Sequence, residues 1–402
     1  MNFLLFALLR ALRCYAWLRL LAAAFIWSSL GNGLTQVVVF GQLLQWQASP
    51  ALLTLAWLLA TVPGFIGSLL GETLCRRATP LSVLMAAEAA GMLALLIPWF
   101  GLQYQSIPAL LMVQSVEALL GGITWPALAL IFKHGLRNDE LPAATAMESL
   151  IFASQVLLGT GIGVLLFGRV SPFALLGIDA LSFLLSLGLL WLACRRFPEG
   201  KASAAAVPVN RGLAWATLST VQKRSLLLLP ALAAVGSPAM ALLPALAQQL
   251  NPGGAAGLAL PLLFSRSLGQ LFGPLLLNGD RLAGYAKRNR LLLGCLLIFL
   301  GAYGTLPLTR GAASAALLLI FIAHLASNVV FALGTFSVLH HFSAAEVSSA
   351  SARTGRWQTL SAALATGITV LLTARFGAIQ TLYMVCATTF ALVALLLARY
   401  RE

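Results

Sequence analysis

Apolar residues along this chain fall in long blocks, each separated from the next by a short polar or glycine- and proline-containing break. Twelve blocks can be drawn, at residues 18–45, 50–72, 80–101, 107–132, 142–167, 172–194, 223–249, 255–278, 290–308, 312–338, 350–374 and 377–398. A helix rises 1.5 Å per residue, so about 20 residues cross a hydrocarbon core of about 30 Å. The pattern predicts twelve transmembrane helices and an all-α polytopic membrane protein. One break differs in kind. From Arg195 to Arg224 the chain carries charge, alanine and proline but no run long enough to span. It divides the sequence into a six-helix bundle over 1–195, a cytoplasmic linker over 196–222 and a second six-helix bundle over 223–402.

Composition agrees: 60% of residues are hydrophobic and 9% charged, against about 25% charged in soluble domains. The 25 lysines and arginines outnumber 11 acids, for a net charge of +14. They gather at span ends and not along one stripe, which marks them as topology signals and headgroup contacts and argues against a nucleic-acid partner. Across the zigzag only Arg169, Arg310 and Arg375 fall on one side, Arg266 falls inside a span, and all others fall on the opposite side. Basic loops are retained in the cytoplasm, so both termini are expected there.

Five cysteines (Cys14, Cys75, Cys194, Cys295, Cys386) lie in spans or on the basic side, so no disulfide is expected. Residues 3–16 place a short apolar run before their arginines, the reverse of a signal peptide, and read as an interfacial amphipathic helix. The chain has no phosphate-binding G-x-x-x-x-G-K-[ST] loop, no H-E-x-x-H, no C-x-x-C and no G-x-S-x-G. No ATP-driven step, enzymatic activity, cofactor or metal site is expected. A membrane-embedded enzyme and a non-transporting receptor are alternative classes without a motif in their support.

Six spans on each side of a loop is the layout of transporters made from two repeated bundles. The run Arg137, Asn138, Asp139, Glu140, Leu141, Pro142, Ala143, Ala144, Thr145 resembles the R-D-E-L-P-A-A-N loop between helices 4 and 5 of the major facilitator superfamily's bacterial multidrug and siderophore (enterobactin-type) exporters. Asp179, Ala180, Leu181, Ser182, Phe183 is similar to that branch's D-A-x-S-F in helix 6, and Gly31, Leu34 and Thr35 to its G-D-W-L-T pattern in helix 1. The likeness covers the first half well and the second chiefly through topology. It implies a monomeric inner-membrane exporter of a small organic molecule, driven by proton antiport; Arg266, a permanent charge inside a span, favours a siderophore or other carboxylate-bearing metabolite as cargo. Multidrug efflux and proton-coupled uptake are the alternatives. Several positions depart from the family pattern. Cys75 stands where the loop after helix 2 has aspartate, Glu117 where a helix-4 arginine is usual, Asn32 where helix 1 often has an acid, and Thr160 where the helix-5 antiporter pattern has proline.

An ionisable group near the bilayer centre costs about 2.5–3.5 kcal/mol on insertion scales unless it meets water or a partner. Glu117, Arg266 and His324 fall near mid-depth, as do the amides Asn32 and Gln36. The resemblance implies that helices 1, 4, 7 and 10 line the cavity. Asn32, Gln36, Glu117, Arg266, His324 and Asn328 are therefore the substrate candidates, and Glu117, Glu148 and His324 the proton-coupling candidates. Glu117 and Arg266 could alternatively form a structural ion pair. Glu88 and Asp179 read as structural. Arg76, Arg77, Asp139, Glu140, Asp280 and Arg281 are candidates for gating contacts between helix ends. Pro230, Gly236, Pro238 and Pro244 are expected to kink helix 7.

Overall fold

The computed structural model describes residues 3–46, 48, 50–198, 213–250 and 255–400. The linker positions 199–212, Lys201 and Arg211 among them, lie outside the described residues. What is described is helical, apart from turns and two isolated bridges, Phe3 to Asn278 and Phe167 to Val170. The helices of the N-terminal part are α1 (Leu4–Cys14), α2 (Ala16–Gln45), α3 (Pro50–Leu59), α4 (Pro63–Cys75), α5 (Pro80–Ala94), α6 (Leu96–Gln103), α7 (Ile107–Gly135), α8 (Leu141–Ser154), α9 (Gly161–Leu166) and α10 (Pro172–Arg196). The C-terminal part has α11 (Thr220–Leu250), α12 (Ala255–Leu275), α13 (Leu282–Lys287), α14 (Asn289–Thr305), α15 (Ala313–His341), α16 (Val347–Phe376) and α17 (Ala378–Arg399).

Among the described residues, nine helical segments are long and apolar enough to cross a membrane. They match nine of the twelve predicted blocks, and two of the other three show where hydropathy alone overstates continuity. Block 50–72 is interrupted at 60–62, just before Pro63, where the chain makes tight i−3 bonds such as Phe65 N–H to Val62 O (3.0 Å). Proline lacks the N–H that would continue the ladder. Block 142–167 widens into a π-helical turn over Gln155–Thr160 between α8 and α9. The third, block 255–278, forms one continuous helix, α12. Helix α11 likewise stays helical past Pro230 and Pro238. Several helices start on a proline at the first turn, where a missing N–H is harmless, and Thr79 and Ser171 cap α5 and α10 by accepting from Ser82 N–H (3.3 Å) and Ala174 N–H (3.2 Å).

The chain resolves into two compact units. The first comprises Leu8–Leu213 and Phe342–Arg356; the second comprises Met1–Ala7, Ala214–His341 and Trp357–Glu402. The division does not follow the sequence strictly: the start of α1 groups with the C-terminal part, and the first turns of α16 with the N-terminal part. The first unit's core packs Leu34, Val38, Leu43, Leu110 and Leu175 around Phe183. In both units glycines let two helices touch. A Cβ on Gly67 of α4 would stand 1.9 Å from Leu119 O of α7, and one on Gly269 of α12 would stand 2.4 Å from Phe321 O of α15. Exposed leucines such as Leu165, Leu181, Leu371 and Leu395 give the outer faces the apolar surface that lipid requires.

Candidate functional site

In the first unit, Ser28, Asn32, Thr35 and Gln36 share one face of α2, at i, i+4, i+7 and i+8. Thr35 donates to Asp179 Oδ2 on α10, and Ser28 donates to Glu88 Oε1 on α5 (2.9 Å). Ser182 Oγ adds bonds to Asp179 O (2.8 Å) and Oδ1 (3.2 Å). Gly31 makes this approach possible, since a Cβ there would overlap Asp179 Oδ1 at 2.0 Å. Asn32 reaches Ser28 Oγ at 3.4 Å, and Gln36 is half-buried one turn further along. Glu117, half-buried on α7, lies within electrostatic range of Asp179. Glu148 is buried on α8.

The second unit has a cationic and aromatic interior instead. Helix α12 delivers Arg266, α14 delivers Phe299 and Tyr303, and α15 delivers His324. The Tyr303 hydroxyl and His324 Nε2 are hydrogen-bonded at 2.9 Å, with the Phe299 ring edge-on to the imidazole (centroids 5.5 Å apart, 90°). Arg266 is in electrostatic range of both Tyr303 and His324, and its buried Nε has no hydrogen-bond partner among the described residues. Asn328 turns back on its own helix, donating to His324 O (3.0 Å). The unit's one described carboxylate, Asp280, lies beyond the end of α12. Of the candidates in this unit the structure therefore groups Arg266, His324 and Asn328, and adds Tyr303, which the sequence did not single out.

The gating candidates occupy three places. Arg76 is half of a clamp on Glu72 Oε1 (2.8 Å), and the other half is Arg356 of α16, whose Nη1 reaches Glu72 Oε2 at 3.0 Å. Arg77 is exposed beside it, and Cys75 is buried against Ser348. Arg137 pairs with Asp139 (3.2 Å) and Glu140 (3.5 Å), while Tyr15 donates to Glu140 Oε2 at 2.8 Å. Burial and the adjoining Glu140 carboxylate push the Tyr15 phenol above its ordinary range. Asp280 and Arg281 are exposed in the turn after α12, where Leu4 N–H also bonds to Leu277 O (2.7 Å).

No known sequence-family profile matches the chain. A 71-residue stretch is 59% identical to an uncharacterized 29.9 kDa protein from the crtE 3′ region of Pseudescherichia vulneris, over 18% of this chain and 26% of that protein's length. Solved structures are similar along nearly the whole chain. The E. coli fucose:proton symporter FucP superposes with a TM-score of 0.63 at 14% identity, covering 96% of this chain and 98% of that one. A bacterial homologue of the iron transporter ferroportin, in an outward-facing state, gives 0.69 at 14%, covering 95% and 98%. The human organic anion transporter MFSD10 gives 0.69 at 15%, covering 94% and 99%. The fold is that of the major facilitator transporters. Their named cargoes are a sugar, iron and organic anions, so one fold serves chemically unlike molecules.

Proposed function

We propose that this chain is an inner-membrane secondary transporter of the siderophore- and drug-exporting kind, which expels a small carboxylate-bearing molecule in exchange for protons. The observation that carries the reading is Arg266. A guanidinium cannot lose its proton, so its charge must be balanced. Its own unit holds no described intramembrane carboxylate, and its Nε is left without a partner. A cargo carboxylate fits the forked donor geometry of arginine. Tyr303 and His324 supply a hydrogen-bonding wall, and Phe299 an apolar one. Glu117, with Glu148 and His324 as the other candidates, carries the coupling proton.

The test compares Arg266→Lys and Arg266→Gln in everted vesicles loaded by a carboxylate siderophore or by a lipophilic cation. Siderophore export should fall at least tenfold in Arg266→Gln, a loss of about 1.4 kcal/mol or more, with Arg266→Lys intermediate. Cation export failing while siderophore export persists would overturn the reading and favour multidrug efflux. Proton coupling is tested separately. Glu117→Gln should retain exchange of labelled for unlabelled siderophore yet lose uphill transport driven by a pH gradient. Uphill transport at the wild-type rate would move the role to Glu148 or His324.

A further inference from the structure

The helix 1 hydroxyls do not face an open site. Ser28 and Thr35 are 3% and 0% exposed, Glu88 8% and Asp179 0%. Two carboxyls are thus sealed between α2, α5 and α10, and among the described residues no cation pairs with either. Helix α2 carries no titratable side chain after Arg19, α5 none but Glu88, and α10 none but Asp179 before Cys194, Arg195 and Arg196 at its far end. Of the helices packed around these three, α4 brings Cys75 and Glu72, the latter paired with Arg76 and Arg356, and α7 brings Glu117, with Lys133 and His134 only in its last turn. Helix α8 brings Glu148, while α6, α9 and the π-helical turn bring no titratable group.

Hydrogen bonding separates the two acids. Asp179 is well served, by Thr35 on one oxygen and Ser182 on the other. Glu88 accepts from Ser28 on Oε1 and faces Ser186, but its buried Oε2 has no partner of hydrogen-bond geometry. An ionised carboxylate leaves such an oxygen bare in a medium that penalises bare charge by several kcal/mol. A proton on that oxygen removes the charge. Ser182 and Ser186 stand one turn apart on α10 between the acids, and Asn32 stands between Ser28 and Thr35 on α2. The two carboxyls are thus the ends of a ladder of exchangeable hydroxyl and amide groups, with Glu117 in electrostatic range of the Asp179 end.

We propose that Glu88 and Asp179 form a second, fully buried proton-binding site inside the first unit, which stores the proton exchanged with Glu117. This rests on the reading of the chain as proton-coupled, but its test does not require transport. The full-length chain in detergent is followed by infrared spectroscopy over a pH series spanning the physiological range, in buffers with and without sodium. The wild type should show the carbonyl stretch of protonated carboxyls, convert it to carboxylate bands as pH rises, and ignore sodium. Glu88→Gln and Asp179→Asn should each remove part of that band, and the double variant should remove the part that Glu117→Gln leaves. Thr35→Val keeps the Asp179 carboxyl but loses its donor, and should shift the Asp179 component without abolishing it. It serves if either acid variant fails to fold. An unchanged band in the double variant, or one that sodium rather than pH displaces, would overturn the proposal. Failure of siderophore export with this band intact would count against the exporter reading alone.

Discussion

Two guanidinium groups converge on one carboxylate at Glu72, and both oxygens are used: Arg76 from the same helix and Arg356 from α16. The Glu72 and Arg356 side chains are 11% and 14% exposed, so water screens the pair poorly. Removing one partner leaves a mostly buried charge, which costs about 3–5 kcal/mol when burial is complete and less here. Arg356→Gln is expected to lower the unfolding midpoint in detergent more than Arg76→Gln, whose partner is an i+4 neighbour on a more exposed turn. Equal midpoints would show that the longer-range bond contributes nothing. The sequence pointed to this corner through Arg76, and the family pattern has an acid where this chain has Cys75. The acid is Glu72, three residues earlier on nearly the same helix face, and its second partner lies 284 positions away. Arg266, His324 and Asn32 were legible because a polar group in an apolar block stands out. Tyr303 was not: an aromatic near a span end is unremarkable until α14 is packed on α15 and its hydroxyl meets His324.

Helices, rather than residues, carry the contacts that set the shape of each unit, and glycine decides how close they come. Neighbouring glycines on α7 offer a matched comparison. A Cβ on Gly122 would stand 2.2 Å from Gly64 O of α4, whereas one on Gly121 meets nothing within 4 Å. Gly122→Ala is expected to destabilise the protein by about 1–3 kcal/mol through overpacking against backbone that cannot turn aside. Gly121→Ala should be neutral or stabilise by up to about 1 kcal/mol through helix propensity. Monodispersity in size-exclusion chromatography and the thermal midpoint report both, and similar losses for the two would refute the close α4–α7 approach. Hydropathy located the helices but not their interruptions. The π-helical turn at Gln155–Thr160 lies where Gly159 closes on α2, with a would-be Cβ 2.6 Å from Ser29 O. That widening belongs to the tertiary contact, and the sequence shows only a Gly-Thr-Gly run. Such turns inside helices often mark working positions, and this one follows Glu148 by two turns.

For the whole molecule, a major facilitator fold sets the number and pairing of helices, but it does not say which side of the membrane each loop faces. That has to come from charge. The loops that hold Arg76, Arg77, Arg137, Arg195, Arg196, Arg281 and Arg288 lie on one side of the predicted zigzag, and those with Arg169, Arg310 and Arg375 on the other. Translocating an arginine-rich loop against the membrane potential costs about 2.3 kcal/mol per charge per 100 mV, so the richer side is expected to stay in the cytoplasm. The turn between α6 and α7, at Ser106, should then face the periplasm, and the linker position Ser203 the cytoplasm. In a background with the five native cysteines replaced, a thiol reagent that cannot cross the membrane should label Ser106→Cys in intact cells. Ser203→Cys should react only after the membrane is opened. The reverse pattern would invert the predicted orientation; labelling of both in intact cells would break the predicted topology itself.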